Sequence, residues 1–176
     1  MKLINVGDIK VSDATAEVEG IGVKDIGRVK LIKNIGDVMP GEICTYWSNG
    51  DWSLWQLVDY LLERTSPADI YMATWSISEL SARKLLQWVE AGRINKLIGV
   101  IDYRTKNRHP AAYHLSKNIF TDIKLANCHA KVTVLVGNGE YITINGSANW
   151  TENPRLESGV IINGIETGKA NVKLIE

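Results

Sequence analysis

The apolar positions change period several times along the chain, and each change predicts an element. Leu54, Leu57, Val58, Leu61 and Leu62 recur at the spacing of one helix face, and Ser53 with Gln56 has the spacing of a capping box at its start. Residues 70–75 form a short apolar run that reads as a buried strand. A second helix begins near Ser78, turns Leu85, Leu86 and Val89 inward and stops at Gly92. Residues 97–101 read as another buried strand, Pro110 suits the first turn of a third helix through about Asn118, and residues 123–125 form a short strand. From 129 to 136 the alternation is strict: Ala130, Val132, Val134 and Val136 point one way, His129, Lys131 and Thr133 the other. Asn138-Gly139 is a hairpin turn, and the return strand sets Ile142 and Ile144 against Tyr141, Thr143 and Asn145. Residues 159–162 give a further strand, and the tail from Glu166 a short helix or strand.

Strands alternating with helices predict an α/β fold, a mixed β-sheet sandwiched by helices. Residues 1–46 differ in texture. They are rich in Val, Ile and Gly, with turn signals near Gly7, Gly20, Gly27, Gly36 and Pro40-Gly41. They are expected to form a β-rich arm or small module ahead of a domain over 47–176.

The 176 residues suffice for one domain with a proper core, burying roughly 70% of the unfolded surface. Six Trp stand against one Phe, and Trp47, Trp52, Trp55 and Trp75 fall close together; core and interface packing is their expected role. The net charge is zero, but residues 96–131 hold seven Lys or Arg against two Asp and all three His. That basic stretch favours a polyanionic partner, because cations on phosphates release counterions. Cys44 and Cys128 are too few for a disulfide scaffold or a structural zinc site, and nothing else at ligand spacing supports a metal beside Cys128. Without a signal-like apolar leader or an apolar run long enough to span a bilayer, a cytoplasmic protein with no membrane partner is expected.

The candidate chemistry sits near the predicted hairpin. Period-two geometry puts His129 and Lys131 on one face, and the hairpin returns Gly146-Ser147-Ala148-Asn149 beside the start of that strand. An imidazole titrating near neutral pH can attack phosphorus or donate a proton. Lys131 can neutralise a non-bridging oxygen, while Ser147 and Asn149 donate to the others. A nucleophilic imidazole also needs an orienting carboxylate, and Glu157 is the downstream candidate. The loop from Asp102 to His109 follows a buried strand, where α/β folds place ligand contacts. Its Tyr103, Arg104, Lys106 and Arg108 are candidates to stack a base or hold a nucleic-acid backbone. His114 reads as a plain helix residue.

His129-Ala130-Lys131, the Gly146-Ser147-Ala148-Asn149 turn and Glu157 before an apolar strand together resemble the phospholipase D superfamily, in particular its small nucleases with one motif per chain. The resemblance is strong over 123–163, looser over 48–122, and does not reach 1–46. It implies a phospholipase D-like fold and a metal-independent, cofactor-free phosphodiesterase, above all a nuclease. Two motifs would face each other, one His129 forming a phosphohistidine and the other protonating the leaving oxygen. With one motif per chain, a homodimer must supply the second imidazole. One position departs from the pattern: where the family carries Asp five residues after the Lys, this chain has Val136, and Glu140 past the turn is not a substitute. Two other readings stay open: a degenerate nucleic-acid-binding or assembly protein, and a phosphatidyl hydrolase or transferase.

Overall fold

Seven strands form one sheet in the order β1-β7-β6-β5-β2-β3-β4. The computed structural model describes residues 26–152 and 154–176. In chain order the elements are α1 (Ile26–Ile35), β1 (Ile43–Trp47), α2 (Leu54–Thr65), β2 (Ala68–Thr74), α3 (Glu79–Glu90), β3 (Ile94–Asp102), α4 (Thr105–Arg108), α5 (Pro110–Ile119), β4 (Asp122–Ala126), β5 (Lys131–Gly137), β6 (Glu140–Gly146), β7 (Ser158–Asn163) and α6 (Ile165–Ile175). Strands β2, β3 and β4 run parallel, while β5, β6, β7 and β1 pair antiparallel, so the sheet is mixed, as the strand–helix alternation predicts.

The two faces are covered unequally. Helices α1, α2, α3 and α5 pack on one face around Leu57, Leu62, Ile70, Met72, Leu97 and Leu135. Each side chain buried in this way stabilises the fold by roughly 1.5–3 kcal/mol. The other face carries a smaller cluster of Tyr71, Ala73, Val134 and Ile175, where α6 lies on the sheet centre. Val132, Val134 and Val136 face α6 while Thr133 and Leu135 face the larger core, the split that the alternation predicts.

Local signals place most elements. Ser53 caps α2, and its backbone N–H donates to Gln56 Oε1 at 2.8 Å. The hydroxyl of Ser78 accepts from the Ser81 N–H at 3.2 Å and starts α3. Asn138 and Gly139 both take positive φ, 49° and 79°, as a tight hairpin between right-twisted strands requires. The tail becomes helix α6, with Gly168 seated against the Tyr141 ring.

Two expectations need correction. Residues 26–35, expected within a β-rich arm, form a helix, because Leu31 and Ile35 are one turn apart and both reach the main core. β1 then joins the main sheet through β7, so residues 26–47 share that sheet and core; the rest of the expected arm, residues 1–25, lies outside the described residues. Val and Ile favour strands by composition, but burial of a helical stripe outweighs that preference. The second correction concerns His129. The ladder of β5 begins at Lys131, so His129 lies in the connection ahead of the strand rather than in its alternation. The cause is adjacent: Asp102 Oδ2 accepts the backbone N–H of Cys128 at 3.1 Å, drawing this connection toward the end of β3. No described helix is long and apolar enough to cross a membrane.

Candidate functional site

Strand register brings the candidate residues to one edge of the sheet. Thr74, the last residue of β2, pairs with Lys131, the first of β5. Val132 pairs with Asn145, and Gly146 with Gly159, so the Gly146–Asn149 turn leaves β6 beside the start of β5 and Glu157 enters β7 next to it. The parallel strands β2, β3 and β4 present their carboxyl ends at the same edge. Loops there are free to vary while the sheet holds their bases, which is why ligands gather at this edge of α/β sheets.

The side chains are then tied pairwise. Lys131 Nζ donates to the carbonyl oxygen of His129 at 3.0 Å, holding the ammonium against the imidazole's own backbone. The Ser147 hydroxyl donates to the Glu157 carboxylate, and the same oxygen accepts the Ser158 N–H at 3.0 Å. Glu157 is anchored through its backbone as well: its carbonyl accepts from the Ser48 N–H at 2.8 Å. Asn149 and Glu157 line a small cavity with Tyr46, Ser48, Trp52 and Ala148. There the side-chain oxygen of Asn149 is buried without a hydrogen-bond partner among the described residues. An unsatisfied buried acceptor costs about 1–3 kcal/mol, so this one marks a place where a further donor is welcome.

Tyr46 forms a wall of the cavity. Burial first, and the Glu157 charge second, push its hydroxyl up to about 12, so it keeps its proton. A Cβ on Gly159 would stand 2.5 Å from Tyr46 Oη, and one on Gly146 2.6 Å from the Ser158 carbonyl. The glycine that opens the Gly-Ser-Ala-Asn turn is thus required by close approach of β6 and β7.

The loop after β3 divides its cations between two duties. Arg104 Nε and Nη2 donate to the two oxygens of buried Asp102 at 2.6 and 2.8 Å. These bonds, ahead of those from the Arg104 and Cys128 N–H groups, hold the Asp102 carboxyl at about 2. The guanidinium of Arg104 therefore braces the loop. Lys106 and Arg108 are exposed, and among the described residues neither makes an ion pair. Tyr103 is 54% exposed, with Arg104 5.5 Å over its ring. His109 stands at the N-terminal boundary of α5 without a side-chain capping bond, and His114 is an exposed residue of that helix beside Tyr113.

Val136 and Glu140 lie at the opposite end of the hairpin. Val136 packs against the α6 cluster, and Glu140 is paired with Arg64, its Oε1 accepting Nε at 2.9 Å, so neither stands near the Ser147–Glu157 pair.

Sequence reading missed three contributors. Trp75, expected as a packing residue, is half-buried at the end of β2 with its ring 5.8 Å from the His129 ring and tilted 52°. Trp150, directly after Asn149, is 1% exposed, and its indole N–H donates to Thr133 Oγ1 at 3.1 Å, pinning the turn to β5. Asp102 sets the course of the His129 connection. Their only sequence signal is position: each adjoins a strand end or a named site residue.

This fold is similar to that of a solved phospholipase D family member. The chain superposes on the phospholipase D family member Nuc from Salmonella typhimurium with a TM-score of 0.54 and 16% identity, covering 75% of this chain and 90% of that one. NucT from Helicobacter pylori aligns with a TM-score of 0.49 and 18% identity, over 76% of this chain and 96% of that one. No protein-family model matches the chain, and neither does any curated protein.

Proposed function

We propose that this chain is a nuclease that cleaves phosphodiester bonds through a phosphohistidine, in a site completed by a second copy. The observation carrying this reading is the assembly of His129, Lys131, Ser147, Asn149 and Glu157 at one sheet edge, with Ser147 bonded to Glu157 and Lys131 pinned beside His129. The fold shared with Nuc supports it. Lys106 and Arg108, exposed beside that edge, favour a polyanionic strand over a lipid surface.

In this reading one His129 imidazole attacks phosphorus, forming a P–N bond as the P–O bond to the leaving nucleotide breaks. The imidazolium of the second copy's His129 protonates the departing oxygen and is left neutral. It then takes a proton from water, whose oxygen displaces the first imidazole and releases the phosphate monoester. Lys131 and the Asn149 amide stabilise the negative oxygens on the way, while the single proton of the Ser147 hydroxyl goes to Glu157. Glu157 accepts from Ser147 and so fixes that hydroxyl's orientation. Each chain offers one His129, so a two-fold interface must bring the pair together.

The test is cleavage of DNA and RNA in excess EDTA by wild type and His129→Asn, together with the mass in solution. Metal-free cleavage lost in His129→Asn, by a dimer, is the expected result. A strict monomer, or strands bound but left intact, overturns it; the second outcome favours a nucleic-acid-binding protein with a degenerate motif. Hydrolysis of phosphatidyl substrate alone would instead assign a lipid enzyme.

A further inference from the structure

Trp75 is mounted differently from the tryptophans that only pack. Trp52, Trp88 and Trp150 are 5%, 5% and 1% exposed, each inside the main core. Trp75 is half-buried at the edge where the candidate site lies, one residue past the Thr74–Lys131 pair. Its backbone is clamped from both sides. Thr74 Oγ1 donates to the Ser76 carbonyl at 2.9 Å across the turn, and Thr105 Oγ1 reaches the Trp75 carbonyl at 3.5 Å. The ring lies beside the imidazole of His129, and the guanidinium of Arg108 lies 5.3 Å from its centroid.

An indole beside a candidate nucleophile, within reach of a flat cation that no described acid neutralises, has the makings of a stacking site. The guanidinium of Arg108 is planar and delocalised, and it lies within cation–π reach of the indole. A base is larger and carries no charge to solvate. By taking that place it frees Arg108 to pair with the adjoining phosphate. Only a base not held in a duplex stack can turn onto such a platform.

We infer that Trp75, flanked by Arg108, is the platform on which an unpaired nucleobase next to the scissile phosphate stacks, so that the site selects single-stranded nucleic acid. This rests on the nucleic-acid reading of the site above, and it adds a positioning residue that sets substrate class. Tyr103, 54% exposed on the neighbouring loop, is the competing platform and serves as the control.

The experiment is a fluorescence-anisotropy titration of labelled oligothymidylate and of an abasic strand with the same length and phosphate count. Wild type, Trp75→Ala, Trp75→Phe and Tyr103→Ala are compared, with strand integrity followed on a denaturing gel. Wild type should bind the base-bearing strand roughly 5- to 150-fold tighter, the range that loss of one aromatic–base stack produces. Trp75→Ala should lose that preference, while Trp75→Phe and Tyr103→Ala keep most of it. Because the readout compares two ligands on one variant, a general weakening through a displaced His129 does not imitate the result. Equal binding of both strands by wild type, no binding of either, or a preference that survives in Trp75→Ala overturns the platform. A wild type that prefers the base-bearing strand but cuts neither upholds the platform and overturns the nuclease reading. Cleavage with no base preference does the reverse.

Discussion

Ser147 and Glu157 are ten residues apart, yet the hydroxyl of one donates to the carboxylate of the other, with Ser158 N–H closing on the same hydroxyl oxygen at 3.0 Å. A hydroxyl held by a carboxylate and a backbone donor is restrained, whereas a free Ser rotates. Glu157→Gln replaces the charged acceptor with a neutral amide. A hydrogen bond to a charged group contributes about 1.5–3 kcal/mol, so turnover on nucleic acid should fall roughly 10- to 150-fold. Steady-state kcat on a variant whose circular dichroism matches wild type checks this; an unchanged kcat removes Glu157 from the site.

Asp102 makes the structure sensitive to acid. Its carboxyl is held at about 2, chiefly by the hydrogen bonds from Arg104, so the folded protein binds fewer protons there than the unfolded chain. The stabilisation is therefore complete above the ordinary carboxylate range, near about pH 4, and is lost as pH falls through about 2. Comparing wild type with Asp102→Asn by urea unfolding should give a stability gap that is constant from about pH 7 to 5 and narrows below about pH 4. A gap that widens on acidification contradicts the assignment.

Trp150 anchors the turn that carries Asn149. Trp150→Ala empties a fully buried indole site and should cost about 3–5 kcal/mol. Trp150→Phe keeps most of the volume but strands the Thr133 hydroxyl without its donor, for about 1–3 kcal/mol. Urea midpoints at constant slope measure both. A Trp150→Phe variant as stable as wild type would show that volume alone matters and the hydrogen bond does not.

Gly159 tests the close approach behind the site. An added methyl would lie 2.5 Å from Tyr46 Oη and 2.8 Å from the Asn145 carbonyl, so Tyr46 or the β6–β7 ladder must shift. Gly159→Ala should lose about 1–3 kcal/mol, the usual range for overpacking, and should lower activity as well because Glu157 is two residues away. A variant as stable and as active as wild type, by thermal melt and cleavage rate, counts against this packing.

The chain's own pattern determined the elements whose burial is periodic. Helices α2 and α3, strand β2, the Asn138-Gly139 hairpin and the split faces of β5 all follow from spacing, because a side chain's face depends only on local backbone period. The candidate chemistry was legible for the same reason: His129, Lys131 and the Gly146–Asn149 turn are joined by one hairpin. Tertiary structure alone decided what depends on remote segments. The strand order, the helix at 26–35 and the place of β1 beside β7 rest on burial shared with distant parts of the chain. So does the exit of His129 from its expected strand, since the Cys128 N–H finds Asp102 rather than a ladder partner. Trp75, Arg108 and His129 come from three separate connections and meet only when β2, β3 and β5 are in register. No local spacing encodes such a meeting, because its energy comes from pairing the whole strands and not from the residues that meet.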